Sequence, residues 1–501
     1  MKLFLYLILL GLTFYNVFLG SALVRSGEVN FFNDVARDFL LFQELDEKKI
    51  VFIGARSNTN NLFHGPLWSY INYPSFVLGQ GNPVTVAWFW IFLGLIFLLT
   101  SFFMVKKLFG TFVAFSYVLL ISTKMIPHLN GIFHAEATFF FVPMFLFTIS
   151  QYIKSKKNLY LALHLLSVAI LIQLEVGVGI QFFLLSALLI ILFIFKNKLW
   201  KHIFTFSLMP VFLLNFILFD LRHGLLMAKA LISTGKETHF FVTFRSWIEN
   251  RINNTVSLQL IQNENNLFIF AIFALIIFLT ILQIKNKNKG WQTYFLFFFY
   301  YFGYMITSFF NKGILLFHYV YLLIPLTVLW LVSFLKGKYR LIFLPIIIFF
   351  YLSGLESSSS YVNTRQKYSQ TYNYNSWKAL GKVASDVITR QKGEEFGYFV
   401  FAPDAFAYQP RYAMLYNFKK VKAKAFEYTK KPTTYIIAAP PPANDIYMDY
   451  VWWSKVPVGI SSEPSEIKKF PSGFTIVKYN LSLEEQKIPH DKSIELGIHF
   501  R

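Results

Sequence analysis

The sequence predicts an all-α polytopic membrane bundle of about eleven transmembrane helices, followed by a small C-terminal α/β domain outside the membrane. Three observations predict it. Hydrophobic residues make up 55% of the 501 residues and charged ones 15%, with 61 phenylalanines. A soluble domain cannot hide that much apolar surface, whereas a bilayer can. Apolar runs able to cross ~30 Å of hydrocarbon at ~1.5 Å per residue fall near 3–22, 84–104, 109–127, 135–152, 159–175, 178–195, 203–220, 266–284, 292–310, 318–335 and 340–354. Finally, the lysines gather in the short loops between these runs: Lys106-Lys107, 154–157, 196–201, 285–289 and 336–340. With the N-terminus inside, every one of these loops falls on the cytoplasmic side, as the positive-inside rule requires.

The net charge of +21 is therefore a topology signal and gives no reason to expect a nucleic-acid partner. The chain contains no cysteine, which excludes disulfides, thiolate metal sites and a cysteine nucleophile. The first apolar run is long for a signal-peptide core and its flank is a single lysine, so an uncleaved first helix is expected. The same alternation places 23–83, 221–265 and everything after about 355 outside.

The membrane domain is expected over 1–354, with juxtamembrane helices in the first exterior loop, 23–83. In that loop Asp34, Arg37 and Asp38 fall together on a helical wheel, while Phe32, Val35, Phe39 and Phe42 fall together elsewhere. This predicts an amphipathic interfacial helix, its apolar side toward lipid or bundle and its charged side toward a cavity. Gly54 to Asn61 is a polar turn region. "FHGPLWSYINYP" (63–74) then returns toward the membrane with aromatics suited to the headgroup level. An ordinary local Asp–Arg pair with an aromatic belt accounts for these features equally well. Glu136 beside His134, and Glu175 at the end of the fifth run, add acidic groups at membrane depth. Such groups usually face a cavity or a partner. The outer surface thus collects Asp34, Asp38, Glu136 and Glu175 with Arg37, Arg56, His64, Arg222, His223 and His318.

After the last run, the Ser/Tyr/Asn-rich stretch 353–376 reads as a linker to the exterior domain 355–501. There, 376–393 has helical spacing, with Leu380, Val383, Ala384 and Ile388 on one side and Gly393 as a stop. Segments 396–402, 433–439 and 473–480 read as strands. The glycine-rich phosphate loop of nucleotide-sugar binding is not seen.

Carboxylates with cationic neighbours at the membrane surface can deprotonate a hydroxyl while the cations receive a departing phosphate. A sugar carried on a lipid phosphate is a donor that exists at that depth. The motifs now carry a resemblance. "NDVARDFLLFQEL" followed by "FHGPLWSY" resembles the first exterior loop of the GT-C membrane glycosyltransferases. Within these it is similar to family 39, which includes the protein O-mannosyltransferases and lipid A aminoarabinose transferases, and to bacterial Rgt-type galacturonosyltransferases. Those families carry an Asp, often an Asp-Glu pair, then Ala-Arg; here Asp34 and Arg37 match, and Val35 stands in place of the Glu. Glu136 matches a second acidic residue at the start of the fourth helix. "FDLRHGLLMAKALI" (219–232) resembles their Glu/Asp-x-Arg-His segment, and "FHYVYLLIPL" (317–326) their Tyr-x-x-Pro helix.

The resemblance implies a GT-C bundle with juxtamembrane helices above a lipid-accessible cavity. It implies an inverting transfer of one hexosyl or pentosyl sugar from a polyprenyl phosphate to a glycan, lipid or protein acceptor on the outer face of the cytoplasmic membrane. Asp34 would be the base, with Arg37 orienting it or touching phosphate, and Asp38 and Glu136 positioning the acceptor or a sugar hydroxyl. Arg56, His64, Arg222, His223 and His318 would contact phosphate or substrate. A divalent cation is compatible with the carboxylates, though no ligand spacing demands one. The alternatives are a transporter or flippase of lipid-linked sugars, which would place its charges near the midplane as His164 is placed, and a non-catalytic scaffold.

Overall fold

The computed structural model describes residues 2–57, 59–129, 131–233, 243–257, 266–309, 315–370, 374–402, 406–440 and 450–495. All eleven predicted runs fall on helices. Among the described residues, seven helices are long and apolar enough to cross a membrane, and an eighth is added if the bent pair Trp200–Phe212 and Leu214–Arg222 is one span. Asn158–Leu174 and Phe317–Ser333 are shorter apolar helices, and Trp291–Ser308 is a further helix of 18 residues. The chain is a multi-pass membrane protein.

The chain forms two compact units, one made of Met1–Ser21, Ile50–Ile71 and Trp90–Ser360, the other of Ala22–Lys49, Asn72–Phe89 and Tyr361–Arg501. The first is the helical bundle. Its helices have a buried and an outward side: on Pro83–Phe109, Trp88, Phe92, Ile96, Leu99 and Phe103 are exposed at helical spacing, the pattern of a lipid-facing stripe. One polar pair joins two of these helices, the Asn16 amide donating to Ser122 Oγ at 2.8 Å. Several basic loops are abrupt helix stops. Lys156 and Lys198 both adopt left-handed backbone with φ 56° just past a helix end, closing the last turn.

The second unit is built on a five-stranded sheet of order β2-β1-β3-β5-β4, with β1 Phe396–Phe401, β2 Ala425–Glu427, β3 Thr433–Ala438, β4 Glu466–Lys469 and β5 Thr475–Asn480. β1 pairs parallel with β2 and β3, and β5 runs antiparallel to β3 and β4. The predicted strands are the three central ones. All six residues of β1 are buried, as parallel strands covered on both faces require. One face packs Phe399, Ile436 and Val477 on Val458 and Ile460. On the other face Tyr398 meets Phe418 of helix Tyr408–Lys420, and Gln391 of helix Trp377–Gln391 donates to the Tyr435 hydroxyl.

The amphipathic helix is Asn33–Lys48, and its apolar side does not face lipid. Phe39 packs on Phe76 and Tyr412, within the sheet unit. The linker reading of 353–376 is corrected: the last bundle helix runs from Arg340 to Gln370 without a break through the serines.

In the sheet unit Glu485 anchors a turn. Burial pushes its carboxyl up, but hydrogen bonds from the hydroxyls of Ser462 and Ser461 and from the Ser462 and Ser482 amides outweigh this and hold it at about 2. A carboxylate depressed from 4.5 adds stability that is full above pH 4.5 and lost as pH falls toward 2. Glu485→Gln should therefore lower the unfolding midpoint of this unit at pH 7, with the gap from wild type closing through that window. A gap independent of pH would contradict the assignment.

Candidate functional site

The sheet unit carries the predicted charged triad. Phe31, Phe39 and Phe42 fix the helix Asn33–Lys48 from its buried side, so positions 34, 37 and 38 share the remaining face. Arg37 lies between two carboxylates, 3.0 Å from Asp34 and 3.5 Å from Asp38. The two acids differ in access: Asp34 is 45% exposed, Asp38 only 1%. A buried carboxylate is held by its counter-ion and has little contact with a substrate, whereas the exposed one can take a proton from an incoming hydroxyl.

The bundle gathers a second group around the start of helix His134–Ser155. The His64 and His134 rings meet at a 45° tilt with their centres 4.5 Å apart. Glu175 reaches both, its Oε1 3.7 Å from His64 Nδ1 and its Oε2 4.0 Å from His134 Nε2. All three residues are buried. Two residues on from His134, Glu136 Oε1 lies 3.7 Å from His128 Nδ1. The Phe133 ring touches His134 and the half-buried His318. His223 stacks on Phe219 and donates to its carbonyl, Phe219 in turn packs on Phe63, and Arg222 lies over the Phe52 ring.

Local backbone geometry positions these groups. Glu175 is a single extended residue between two helices, Asn158–Leu174 and Val176–Asn197, so its side chain leaves the helical register. The two helices cross closely because Gly179 lies against Ile172: a Cβ there would sit 2.4 Å from Ile172 backbone atoms. Gly179→Ala should part the crossing and displace Glu175, at a cost of about 1–3 kcal/mol or more. A protein of wild-type unfolding midpoint would contradict this. His64 is held in a short antiparallel contact, its amide donating to the Ala55 carbonyl and the Gly54 amide donating to the His64 carbonyl, both at 2.8 Å. The next amide, Gly65, donates to the Gln173 carbonyl at 2.7 Å.

Two apolar clefts open on either side of Glu175 in the chain. One of about 420 Å³ is lined by Phe52, Pro66, Tyr70, Ile170, Gln173 and Asn215. Another of about 560 Å³ is lined by residues including Val176, Ile180, Phe183, Met209 and Met227. Their walls suit hydrocarbon.

Of the sequence-predicted residues, the bundle brings His64, Glu136 and His318 to the approach of helix His134–Ser155, and the sheet unit brings Asp34, Arg37 and Asp38 together. Arg56 does not join either group: it is exposed, and its guanidinium donates to Asn60 within the turn. Asp220, in the Asp-x-Arg-His segment, is a cap, accepting the Met227 and Ala228 amides at 2.7 and 2.9 Å. His134 and His128 were not among the expected site residues, and Glu175 was expected at the outer surface but without a role in the site. His164, the ionisable residue expected at mid-membrane, is satisfied structurally. Its Nδ1 donates to the Phe145 carbonyl and its Nε2 accepts from Ser186, which also bonds Tyr300.

No family model matches the chain, and no curated protein matches it. Solved structures do. ArnT from Cupriavidus metallidurans bound to undecaprenyl phosphate aligns with a TM-score of 0.58 at 11% identity, covering 95% of this chain and 98% of that one. The same protein in its apo state aligns with a TM-score of 0.59 at 10% identity, covering 95% and 97%. The chain shares the fold of ArnT over nearly its whole length.

Proposed function

We propose that this protein is a glycosyltransferase that moves one sugar from a polyprenyl phosphate to an acceptor on the outer face of the cytoplasmic membrane. The observation that carries the reading is the fold match across 95% of the chain to a protein whose structure contains undecaprenyl phosphate. The first-loop and later motifs extend the reading to family 39 and the Rgt-type enzymes. The bundle up to about residue 354 supplies the membrane part of the enzyme, and the residues after it the exterior part.

Asp34 is the general base. It takes the proton of the acceptor hydroxyl as that oxygen attacks the anomeric carbon, and the C–O bond to the lipid phosphate breaks with inversion. A single displacement needs one base and a stabilised leaving group, and no covalent intermediate. Arg37 orients Asp34, and Asp38 fixes Arg37. Glu136 positions a sugar or acceptor hydroxyl. His64, His318, Arg222 and His223 receive the phosphate. Arg56 is a peripheral substrate contact. The apolar clefts take the first isoprenoid units of the donor or the tail of a lipid acceptor.

The orientation follows from the lysine-rich loops. The absence of cysteine makes it easy to check with single introduced thiols. Ser493→Cys should react with an impermeant maleimide on right-side-out vesicles, and Lys196→Cys only after permeabilisation. The opposite pattern would reverse the topology and remove Asp34 from the outer face.

A transporter or flippase is the competing reading. It would carry label across a sealed vesicle without moving it to a new molecule, whereas a transferase yields labelled acceptor and free polyprenyl phosphate.

A further inference from the structure

We propose that His64, His134 and Glu175 bind one divalent transition-metal ion of the zinc class. Two imidazoles and one carboxylate are the ligand types such ions select, while magnesium and calcium favour all-oxygen sites. The three side chains are buried and come from three separate elements, and one ligand atom from each lies within 4.8 Å of the others. Ligand atoms around a tetrahedral zinc stand roughly 3.4 Å apart, given bonds of about 2.0–2.2 Å. The 3.7 and 4.0 Å separations, each to a different Glu175 oxygen, and the widest spacing of up to 4.8 Å close to that value with side-chain shifts of about 0.5–1.5 Å.

Lone pairs support the same reading. The Val176 amide donates to His64 Nδ1 at 3.3 Å, so this nitrogen carries its lone pair rather than a proton, and binding the ion exchanges this long hydrogen bond for a metal bond. It faces a Glu175 oxygen at 3.7 Å, and two electron-rich atoms at that distance in a buried site are stabilised by a cation between them. The ligands are also fixed in advance. His64 is clamped by the Ala55 and Gly54 backbone contacts and the Gly65–Gln173 bond, and Glu175 sits at the single-residue break between two helices. Such outer support holds ligand orientation in metal sites.

Three protein ligands leave a fourth position free. Resting on the transferase reading, that position takes an oxygen of the lipid phosphate, so His64 meets the phosphate through the ion, which stabilises the leaving group. Metal binding itself does not depend on that reading.

The test uses the full chain purified in detergent and stripped with a chelator. Zinc, followed by elemental analysis, should bind at about one ion per chain. Cobalt should give the intense visible d–d bands of a four-coordinate site. His134→Gln, Glu175→Gln and His64→Gln should each weaken binding at least about tenfold, while His128→Gln, in the neighbouring pair, should leave it unchanged. Each variant is scored only if it elutes as a monodisperse species, so a variant that fails to fold is replaced by the other two. Monodisperse wild type that takes up no zinc and shows no cobalt bands overturns the site, as does equal binding by wild type and all three ligand variants. Metal binding by a protein that transfers no sugar keeps the site and removes the transferase reading. Full transfer by stripped protein that binds no metal does the reverse.

Discussion

Asp34→Asn is expected to lower sugar transfer by about 10²–10⁴-fold, the usual contribution of a general base. The amide keeps the shape and the hydrogen-bonding reach of the carboxylate but cannot accept the proton. Asp34 is the accessible member of the triad, 45% exposed against 1% for Asp38, and this difference separates their roles. Donor binding should change little, since the phosphate rests on the histidines and arginines. Asp38→Asn should cost less in turnover than Asp34→Asn, because Asp38 acts through Arg37. If Asp34 were only the surface partner of Arg37, its loss would cost about 1 kcal/mol or less in stability and leave activity intact. Transfer rates at saturating acceptor, together with donor affinity, distinguish the two.

Arg37→Ala should be the most destabilising change in the triad. The Arg37 side chain is itself only 14% exposed, and its guanidinium lies 3.5 Å from the buried Asp38. Removing one partner of a buried ion pair typically costs about 3–5 kcal/mol, because the remaining charge stays desolvated. Arg37→Ala combined with Asp38→Leu removes both charges and should recover much of that loss. Chemical unfolding of the purified proteins reads the difference directly. A double variant as unstable as Arg37→Ala alone would show that the loss came from packing of the arginine stem.

The elements that could be read from the sequence were those with a strong local signal. Every apolar run became a helix, since twenty or so apolar residues have few other fates in a bilayer. The central strands β1, β3 and β5 were legible because they are rich in aromatic and β-branched residues. The edge strands were not: β2 has three residues and β4 reads Glu-Ile-Lys-Lys, a polar edge that resists further pairing. The serine-rich stretch after residue 353 misled because propensity was overruled by packing. Ser358 is buried and its hydroxyl donates to the Thr123 carbonyl at 2.9 Å, so the polar residues continue the helix against a neighbour.

The candidate site divides the same way. Asp34, Arg37 and Asp38 follow helical spacing and could be seen at once. His64, His134 and Glu175 lie far apart in the chain, and nothing in their local sequence marks them as partners. A histidine before a membrane helix and a glutamate in a one-residue helix break are weak signals separately. Glu175 was visible only as an acid at membrane depth.

The most direct measurement uses purified protein reconstituted in vesicles, supplied with polyprenyl-phosphate donors carrying radiolabelled sugars and with a membrane extract as acceptor. The account predicts that at least one donor yields labelled acceptor and unlabelled polyprenyl phosphate, and that Asp34→Asn vesicles lose this activity by two orders of magnitude or more. Label that crosses the bilayer still attached to its polyprenyl phosphate, at the same rate in both proteins, would contradict it.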